Sequence, residues 1–214
     1  MKNIKISPSI LAADFGKLNE EIKEIEKYSD SLHLDIMDGH FVPNISYGVP
    51  VIKWIKTKLP IDCHLMISDP IKYAKDFAPY CDRIFFHAEL FEKDPSGLKA
   101  TISEIKKLNV KVGLVLNADK SIDLIKHELK NIDSVLIMSV YAGFGGQEFI
   151  IDTMDKVKKL RQLGFDKDIV IDGGINKKTA KFALKAGANV LVAGSAIFGK
   201  VDRKKAVEEL QGVK

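Results

Sequence analysis

One short apolar run of the sequence carries polar side chains at alternate positions. In HLDIM (33–37), His33 and Asp35 alternate with Leu34 and Ile36. Because the side chains of a β-strand point alternately to its two faces, His33 and Asp35 share one face and the two apolar residues share the other. We therefore expect the polar pair to face the interior of a sheet, while the apolar pair packs on helices.

Two further runs end in polar residues of the same types. In DCHLM (62–66) the same alternation turns His64 inward together with Asp62, and a later run ends in Asp172. Three strand ends then direct two imidazoles and two carboxylates at one cavity. The four side chains are those of His33, Asp35, His64 and Asp172. This donor set suits one divalent ion such as Zn²⁺, Fe²⁺, Mn²⁺ or Co²⁺, whereas Mg²⁺ prefers oxygen ligands. Burying two carboxylates without a cation is costly, so we predict a metal site.

Glycines cluster after three of the later apolar runs. They are Gly143, Gly145, Gly146, Gly173, Gly174 and Gly194, the last followed by Ser195. Glycine lets backbone N–H groups approach an anion, and a helix that follows presents the positive end of its dipole. No arginine lies in these segments, so we expect them to hold a phosphate group mainly through backbone amides.

Three methionines, Met37, Met66 and Met138, also fall at the ends of strand runs. A single methionine usually fills a core. As a group beside a metal site, they indicate a polarisable, water-poor cover over a reactive intermediate.

The elements that must position these residues alternate along the chain. Runs rich in Val, Ile and Leu predict strands that are covered on both faces. These runs begin near residues 4, 31, 61, 82, 110, 133, 168 and 189. Eight regular parallel units predict an α/β fold, namely a single-domain (β/α)₈ TIM barrel over residues 1–214, with phosphate-binding loops after strands 6, 7 and 8. The alternative, a doubly wound open sheet, rarely uses eight such units.

Amphipathic runs between the strands predict the helices. They cover residues 17–28, 49–59, 70–80, 96–108, 122–129, 149–163, 178–186 and 203–210. Ser121 and Asn176 are expected to cap helix N-termini, and Gly164 and Gly187 to end helices. In a barrel of this kind the site forms at the C-terminal ends of the strands, where the polar residues fall.

The bulk composition narrows the class of protein. The net charge is only +4, and the lysines are scattered at helical spacing, which argues against a nucleic-acid partner. No apolar run is long enough to span a membrane, and the N-terminus lacks the apolar segment of a signal peptide. Cys63 and Cys81 form no CxxC pair, as in a reducing compartment. These features predict a cytoplasmic enzyme.

Six segments of the chain resemble the ribulose-phosphate 3-epimerase family, nearly end to end and in the same order. They are SPSIL (7–11), HLDIMDGHFVPN (33–44), DCHLM (62–66), GFGGQ (143–147), IDGGI (171–175) and AGSAIF (193–198). The resemblance implies an isomerase of the pentose phosphate pathway that interconverts D-ribulose 5-phosphate and D-xylulose 5-phosphate. It also implies a homo-oligomer, either a dimer or a hexamer.

The resemblance implies roles for individual residues. His33, Asp35, His64 and Asp172 would bind the metal, and Asp35 and Asp172 would exchange the C3 proton through an enediolate. Ser7 would contact a substrate hydroxyl or order the site, and the three methionines would pack over the enediolate. Further substrate contacts would come from His64, Asp172, Gly143, Gly145, Gly146, Gly173, Gly174, Gly194 and Ser195.

Two departures from the family pattern bear on the site. Tyr141-Ala142 stands where members usually carry Asn-Pro before GFGGQ, which bears on the choice of substrate. Ala88 stands where Cys or Tyr is common, between His87 and Glu89, and we place His87 outside the ligand set. The nearest alternative function is a 3-epimerase of D-allulose 6-phosphate.

Other chemistries of phosphate-binding barrels fit less well. Related decarboxylases and hexulose-phosphate synthases use a D-x-K-x-x-D motif, and Met37 occupies the lysine position. A Schiff-base aldolase needs a lysine at the interior end of a strand, and none is found there. A non-catalytic sugar-phosphate-binding barrel is the alternative of a different class. It would gain support if one of the two aspartates were missing, and both are present.

Overall fold

The computed structural model describes residues 3–213, in which eight parallel strands form a nearly closed barrel. The strands are β1 Lys5–Pro8, β2 Leu32–Met37, β3 Ile61–Met66, β4 Arg83–His87, β5 Lys111–Leu116, β6 Ser134–Met138, β7 Asp168–Asp172 and β8 Val190–Ala193. Hydrogen-bonded neighbours follow the order β1-β8-β7-β6-β5-β4-β3-β2. Beyond this ladder, an isolated parallel bridge between Ser9 and His33 joins the β1 side to β2. The predicted (β/α)₈ barrel is confirmed.

Helices alternate with most of the strands. They are α1 Leu18–Ile25, α2 Val49–Ile52, α3 Pro70–Phe77, α4 Pro95–Lys106, α5 Met154–Gln162, α6 Lys177–Ala186, α7 Ser195–Phe198 and α8 Arg203–Gln211. Asn176 caps α6, where its side chain accepts hydrogen bonds from the N–H groups of Lys178 and Thr179, and Gly187 ends that helix with a φ of 110°. Both of these predicted helix ends are confirmed. Within residues 3–213, no helix combines the length and the apolar character that crossing a membrane requires.

The prediction of a helix over residues 122–129 is wrong. Two 3₁₀ turns, Ile122–Leu124 and Leu129–Asn131, occupy this connection. Ser121 does cap the first turn, because its side chain accepts a hydrogen bond from the N–H of Asp123. A helix this short gains few internal hydrogen bonds, and serine and aspartate side chains compete for its backbone donors. The local bonds therefore replace the helix.

The helix predicted over residues 49–59 is reduced to one turn, α2, because side chains on α1 and just after it form hydrogen bonds with the backbone of the following segment. Asn19 donates to the carbonyl of Trp54 at 2.9 Å and accepts from the N–H of Lys56 at 2.8 Å. Glu26 accepts from the N–H of Lys58 at 2.6 Å. Similarly, the helix predicted from residue 149 begins only at Met154, after a 3₁₀ turn over Ile151–Thr153.

The apolar core has two layers, as the strand alternation predicts. Leu34, Ile36, Cys63 and Leu65 are buried in the layer between the strands and the helices. A separate cluster fills the barrel interior. It consists of Phe85, Val115, Leu136, Met138, Val140, Val170, Val190 and Val192. Side chains on the alternate face of β2 and β3 are therefore directed toward the interior, where the polar residues meet.

Candidate metal and active site

The four predicted metal ligands converge at the C-terminal end of the barrel. His33 and Asp35 lie on β2, His64 lies on β3 and Asp172 is the last residue of β7. The β2–β3 register sets Asp35 directly beside His64. One potential ligand atom from each of the four side chains lies within 4.8 Å of all the others. The structure thus brings together residues from three segments that are distant in the sequence.

The separations of the donor atoms fit a transition metal. Nε2 of His33 lies 3.4 Å from Nδ1 of His64. Each of these nitrogens lies 3.4 to 3.5 Å from Oδ1 of Asp35 and from Oδ2 of Asp172. Ligands bound at about 2.1 Å in a tetrahedron lie about 3.4 Å apart. Both the donor types and these five distances therefore fit a divalent metal of the predicted kind.

The charges of the cluster also call for a cation. Burial alone would lower the pKa of His33, but the carboxylates of Asp35 and Asp172 outweigh burial and raise it to about 10. In turn, burial would raise the pKa values of Asp35 and Asp172, yet the two histidines hold both below the ordinary value. One buried and one half-buried carboxylate, those of Asp35 and Asp172, are therefore stabilised by positive charge between them, which protons or a divalent ion can supply.

Asp35 is held by a serine that the sequence analysis did not single out. The hydroxyl of Ser9 donates to Oδ2 of Asp35 at 2.6 Å, and both side chains are buried. Ser7, for which the family resemblance implies a substrate contact or a role in ordering the site, accepts a hydrogen bond from the hydroxyl of Ser31 at 2.7 Å. Strand alternation puts both serines on one face, and Ser9 lies nearer the C-terminal end. That end carries the site in such barrels, so the signal for Ser9 was present in the sequence.

Asp172 is positioned through its backbone. The N–H and the hydroxyl of Ser139, just after β6, both donate to the carbonyl of Asp172, at 2.7 and 3.0 Å. Gly173 follows with a φ of 112°, and a Cβ atom there would lie only 2.4 Å from Val140. The turn after β7 therefore requires glycine, and this turn fixes where the Asp172 carboxylate enters the site.

The glycine-rich segments lie together on one rim, because β6, β7 and β8 are neighbours in the sheet. Gly174 approaches the backbone of Phe149, where a Cβ would lie 2.9 Å from the backbone nitrogen, and so joins the loops after β6 and β7. Gly194 faces Ala12 and Ser9, and Ser195 begins α7. Added Cβ atoms at Gly145 and Gly146 would meet nothing within 4 Å.

The loop after β6 is also tied to the loop after β2. The side chain of Asn44 donates a hydrogen bond to the carbonyl of Gly143 at 2.7 Å.

The methionines border the cluster. Met37 and Met66 are register partners on β2 and β3 and share a small buried cluster with Val42. Met138 is the register partner of Asp172 on β7. Ala142 packs against both this cluster and the interior one. The side of the site that faces these loops is therefore lined with apolar and polarisable groups.

His64 is connected to two residues outside the ligand cluster. Its Nε2 atom lies 2.9 Å from Nε2 of His87, and Nδ1 of His87 lies 2.7 Å from Oε1 of Glu89. Burial lowers the pKa of His87, although the neighbouring Glu89 opposes this effect.

Known proteins match the chain over nearly its full length. The sequence model of the Ribulose-phosphate 3 epimerase family matches residues 5–198. A ribulose-phosphate 3-epimerase of Bacillus subtilis is 45% identical, with 99% of this chain and 100% of the relative covered. Another, of Methanocaldococcus jannaschii, is 46% identical, with coverages of 97% and 90%.

A crystal structure of 3-hexulose-6-phosphate synthase from Salmonella typhimurium aligns with a TM-score of 0.75 over 98% of each chain. Its sequence identity of 16% shows a shared fold and no more. The full-length similarity to the epimerases is of a different order, and the chain belongs to the ribulose-phosphate 3-epimerase family.

Proposed function

We propose that this protein is a metal-dependent ketose-phosphate 3-epimerase that interconverts D-ribulose 5-phosphate and D-xylulose 5-phosphate. One observation carries the proposal: the carboxylates of buried Asp35 and half-buried Asp172 each lie 3.4 to 3.5 Å from the same two histidine nitrogens. Family membership and the epimerase relatives support the substrate.

In this proposal His33, Asp35, His64 and Asp172 hold one divalent metal ion. A bound ion supplies Lewis acidity, which stabilises the negative charge that develops on the ketose oxygen when the neighbouring C–H bond is broken. The protein contributes the fixed arrangement of the ligands: β2, β3 and β7 are strands of one rigid sheet, so little reorganisation is needed when the substrate arrives.

The two aspartates move the proton. Inversion at C3 requires one base on each face of a planar enediolate, and these aspartates come from strands that β1 and β8 separate. Asp35 removes the proton from one face, and Asp172 delivers a proton to the other; the roles exchange in the reverse direction. The Ser9 hydroxyl, bonded to Oδ2 of Asp35, keeps that carboxylate oriented while its proton is transferred.

The surrounding loops would bind the rest of the substrate. The glycine turns after β6, β7 and β8 would hold the phosphate through backbone N–H groups, far from C3, and so fix the sugar in the reactive position. Met37, Met66 and Met138 would cover the enediolate and limit the access of water.

A six-carbon sugar phosphate is the second candidate substrate, because the side chain at position 142, which borders the site, is small. Ala142 packs against both apolar clusters of the site, and its N–H donates to the side chain of Asn117 at 3.2 Å. A small side chain here obstructs a longer sugar less than a larger one would. Tyr141 beside it is 55% exposed.

The deciding experiment measures turnover of D-ribulose 5-phosphate and D-allulose 6-phosphate side by side, with metal analysis of the same sample. We expect a higher kcat/KM for the five-carbon substrate and about one divalent ion per chain. Chelation should remove activity, and added Zn²⁺, Fe²⁺, Mn²⁺ or Co²⁺ should restore it. Binding of either sugar phosphate without turnover would support the non-catalytic barrel instead.

The same proposal includes a cytoplasmic homo-oligomer. Free thiols at Cys63 and Cys81 fit a reducing compartment. Large apolar side chains around α2 and α3 are exposed, among them Trp54 at 67% and Tyr73 at 39%, as expected for a surface that a second subunit covers. Light scattering coupled to gel filtration will measure the mass; a monomer at micromolar concentration would contradict an oligomer.

A further inference from the structure

A buried chain of three side chains runs outward from the ligand cluster. Nδ1 of His64 faces the carboxylates of Asp35 and Asp172 at 3.4 and 3.5 Å. Its other nitrogen, Nε2, meets Nε2 of His87 at 2.9 Å, and Nδ1 of His87 meets Oε1 of Glu89 at 2.7 Å. Both histidines are fully buried, and the side chain of Glu89 is only 8% exposed.

With both imidazole rings neutral, the hydrogen bonds along this chain allow one arrangement of protons. The Glu89 carboxylate can only accept a hydrogen bond, so Nδ1 of His87 must carry the proton. In a neutral His87 ring, Nε2 is then a lone pair, and it can meet Nε2 of His64 only if that atom carries a proton. When the His64 ring is also neutral, as it must be to bind a metal, its Nδ1 atom is left as a lone pair directed at the ligand cluster.

The two histidines of the cluster differ in this respect. His33 directs Nε2 at the cluster, and its outer nitrogen, Nδ1, is buried without a hydrogen-bond partner among residues 3–213. Metal-binding histidines usually donate their outer N–H to a carboxylate, a carbonyl or water, which fixes the tautomer and the ring orientation. Of the two, only His64 has such a connection to protein groups in the described part of the chain.

Two lysine side chains lie near Glu89. Lys120 and Lys156 lie close enough to interact with it electrostatically. Lys156 is fixed by hydrogen bonds to the carbonyls of Asn117 and Ala118, at 2.8 and 2.7 Å. Above the chain, the ring of Phe41 packs on His87 with 4.6 Å between centroids. An aromatic ring therefore covers His87, and two lysines lie near Glu89, whose Oε2 atom is buried without a hydrogen-bond partner among residues 3–213.

We propose that His87 and Glu89 are positioning residues that fix the tautomer and orientation of His64 and so raise the affinity of the site for its metal. The inference rests on the metal role in the proposed function and deepens it. Glu89 acts through His87, without contact with the substrate, and neither residue belongs to the four-ligand cluster.

The substitution Glu89→Gln tests which way the hydrogen bonds point between Glu89, His87 and His64, and it hardly changes the shape of the side chain. An amide can accept from His87 or donate to it, so the variant permits the opposite tautomers, in which Nδ1 of His64 is protonated and cannot bind metal. We expect the affinity for Zn²⁺ or Co²⁺, measured by competition with a chelator, to fall about 10- to 100-fold. The melting temperature of the metal-free protein should not change.

Glu92→Gln is the matched control. Glu92 lies three residues further on, at the end of the same short turn, and pairs with Lys120 at 2.9 Å, but it does not contact a histidine. This variant removes the same charge from the same rim and should keep the wild-type metal affinity. An equal loss of metal affinity in both variants, or no loss in Glu89→Gln, would contradict the positioning role of His87 and Glu89.

The tautomers can also be observed directly in the wild-type protein loaded with Zn²⁺. Two-bond ¹H–¹⁵N correlation spectra of ¹⁵N-histidine should show a proton on Nε2 of His64 and on Nδ1 of His87. The opposite tautomer of either ring refutes the proposal even if a variant were to unfold. A wild-type protein that binds no metal would contradict the proposed function too. If the wild type binds metal and the Glu89→Gln variant binds it with the same affinity, only the positioning role of His87 and Glu89 is contradicted.

Discussion

The hydroxyl of Ser9 and Oδ2 of Asp35 form a hydrogen bond of 2.6 Å inside the barrel. This bond occupies one carboxylate oxygen and leaves Oδ1 facing His33 and His64 at 3.5 and 3.4 Å. Ser9 and His33 are also joined by the bridge between the β1 side and β2. The same segment of chain therefore orients a proposed proton-transfer group and helps to close the sheet.

Ser9→Ala should lower turnover without removing the metal site. A hydrogen bond to a charged group contributes about 1.5–3 kcal/mol, which corresponds to a loss of roughly 10- to 100-fold in kcat. The comparison variant is Ser7→Ala, because the family resemblance implies a role for Ser7, whereas its hydroxyl is bonded to Ser31 and not to Asp35. Steady-state kinetics on D-ribulose 5-phosphate will compare the two variants. A larger loss of kcat in Ser7→Ala than in Ser9→Ala would reverse the assignment.

Replacing either aspartate by asparagine should abolish epimerisation while the barrel persists. Loss of a positioned acid–base group costs typically 10²–10⁴-fold in rate, and the loss of a charged ligand weakens metal binding as well. Circular dichroism should remain that of the wild type. If Asp35→Asn or Asp172→Asn still exchanged the C3 proton with D₂O and epimerised at the wild-type rate, the two-base scheme would be excluded.

The metal-free protein should lose stability as the pH rises. Its His33 has a pKa of about 10, raised from 6.5, so protonation favours the folded state. That contribution to the free energy of unfolding is fully present below pH 6.5 and is lost as the pH approaches about 10. In the metal-loaded protein His33 is neutral and bound, so this loss should be absent. Melting temperatures of chelated and loaded samples across this range test the difference; parallel curves would contradict it.

Much of the site could be predicted because its determinants are local. The period of two along β2 and β3 already separates His33, Asp35 and His64 from the apolar residues between them. The chain from His64 to Glu89 could not be predicted in this way. It depends on the register of β3 against β4, in which His64 lies opposite Phe85 and His87 stands two residues further on. Likewise, Asn19 on α1 and Glu26 just after it shorten α2 through contacts that no local pattern of residues 49–59 reveals.

Asp38 should make the loop after β2 sensitive to acid. Partial burial would raise its pKa, but hydrogen bonds from the backbone N–H groups of Ser68, Phe41 and His40 lower it from 3.8 to about 2. The stability it contributes is present above pH 3.8 and is lost as the pH falls toward about 2. Asp38→Asn should flatten the pH dependence of the free energy of unfolding in that interval. Denaturant titrations of both proteins at several pH values will measure this. If the free energy of unfolding changes with pH equally in both proteins, the role of Asp38 is contradicted.

Gly113 on β5 should tolerate no side chain. A Cβ atom there would lie 2.2 Å from the ring of Phe85 and 2.7 Å from the hydroxyl of Ser134. Overpacking of this kind costs about 1–3 kcal/mol, so Gly113→Ala should reduce the free energy of unfolding in urea by that amount or more. Gly145→Ala is the control, because a Cβ there meets nothing within 4 Å. Equal stability of the two variants would show that the interior around Phe85 can adjust.

The bridge between Ser9 and His33 links the order of local unfolding to the integrity of the site. A sheet that opened at this seam would separate Ser9 from Asp35 and disturb His33, while the ladders from β2 around to β8 stayed paired. Local opening at this seam would then abolish catalytic activity before global unfolding begins. Hydrogen exchange at the amides of β1 and β2 should accordingly slow when the metal ion binds, more than exchange at β5 on the far side of the barrel.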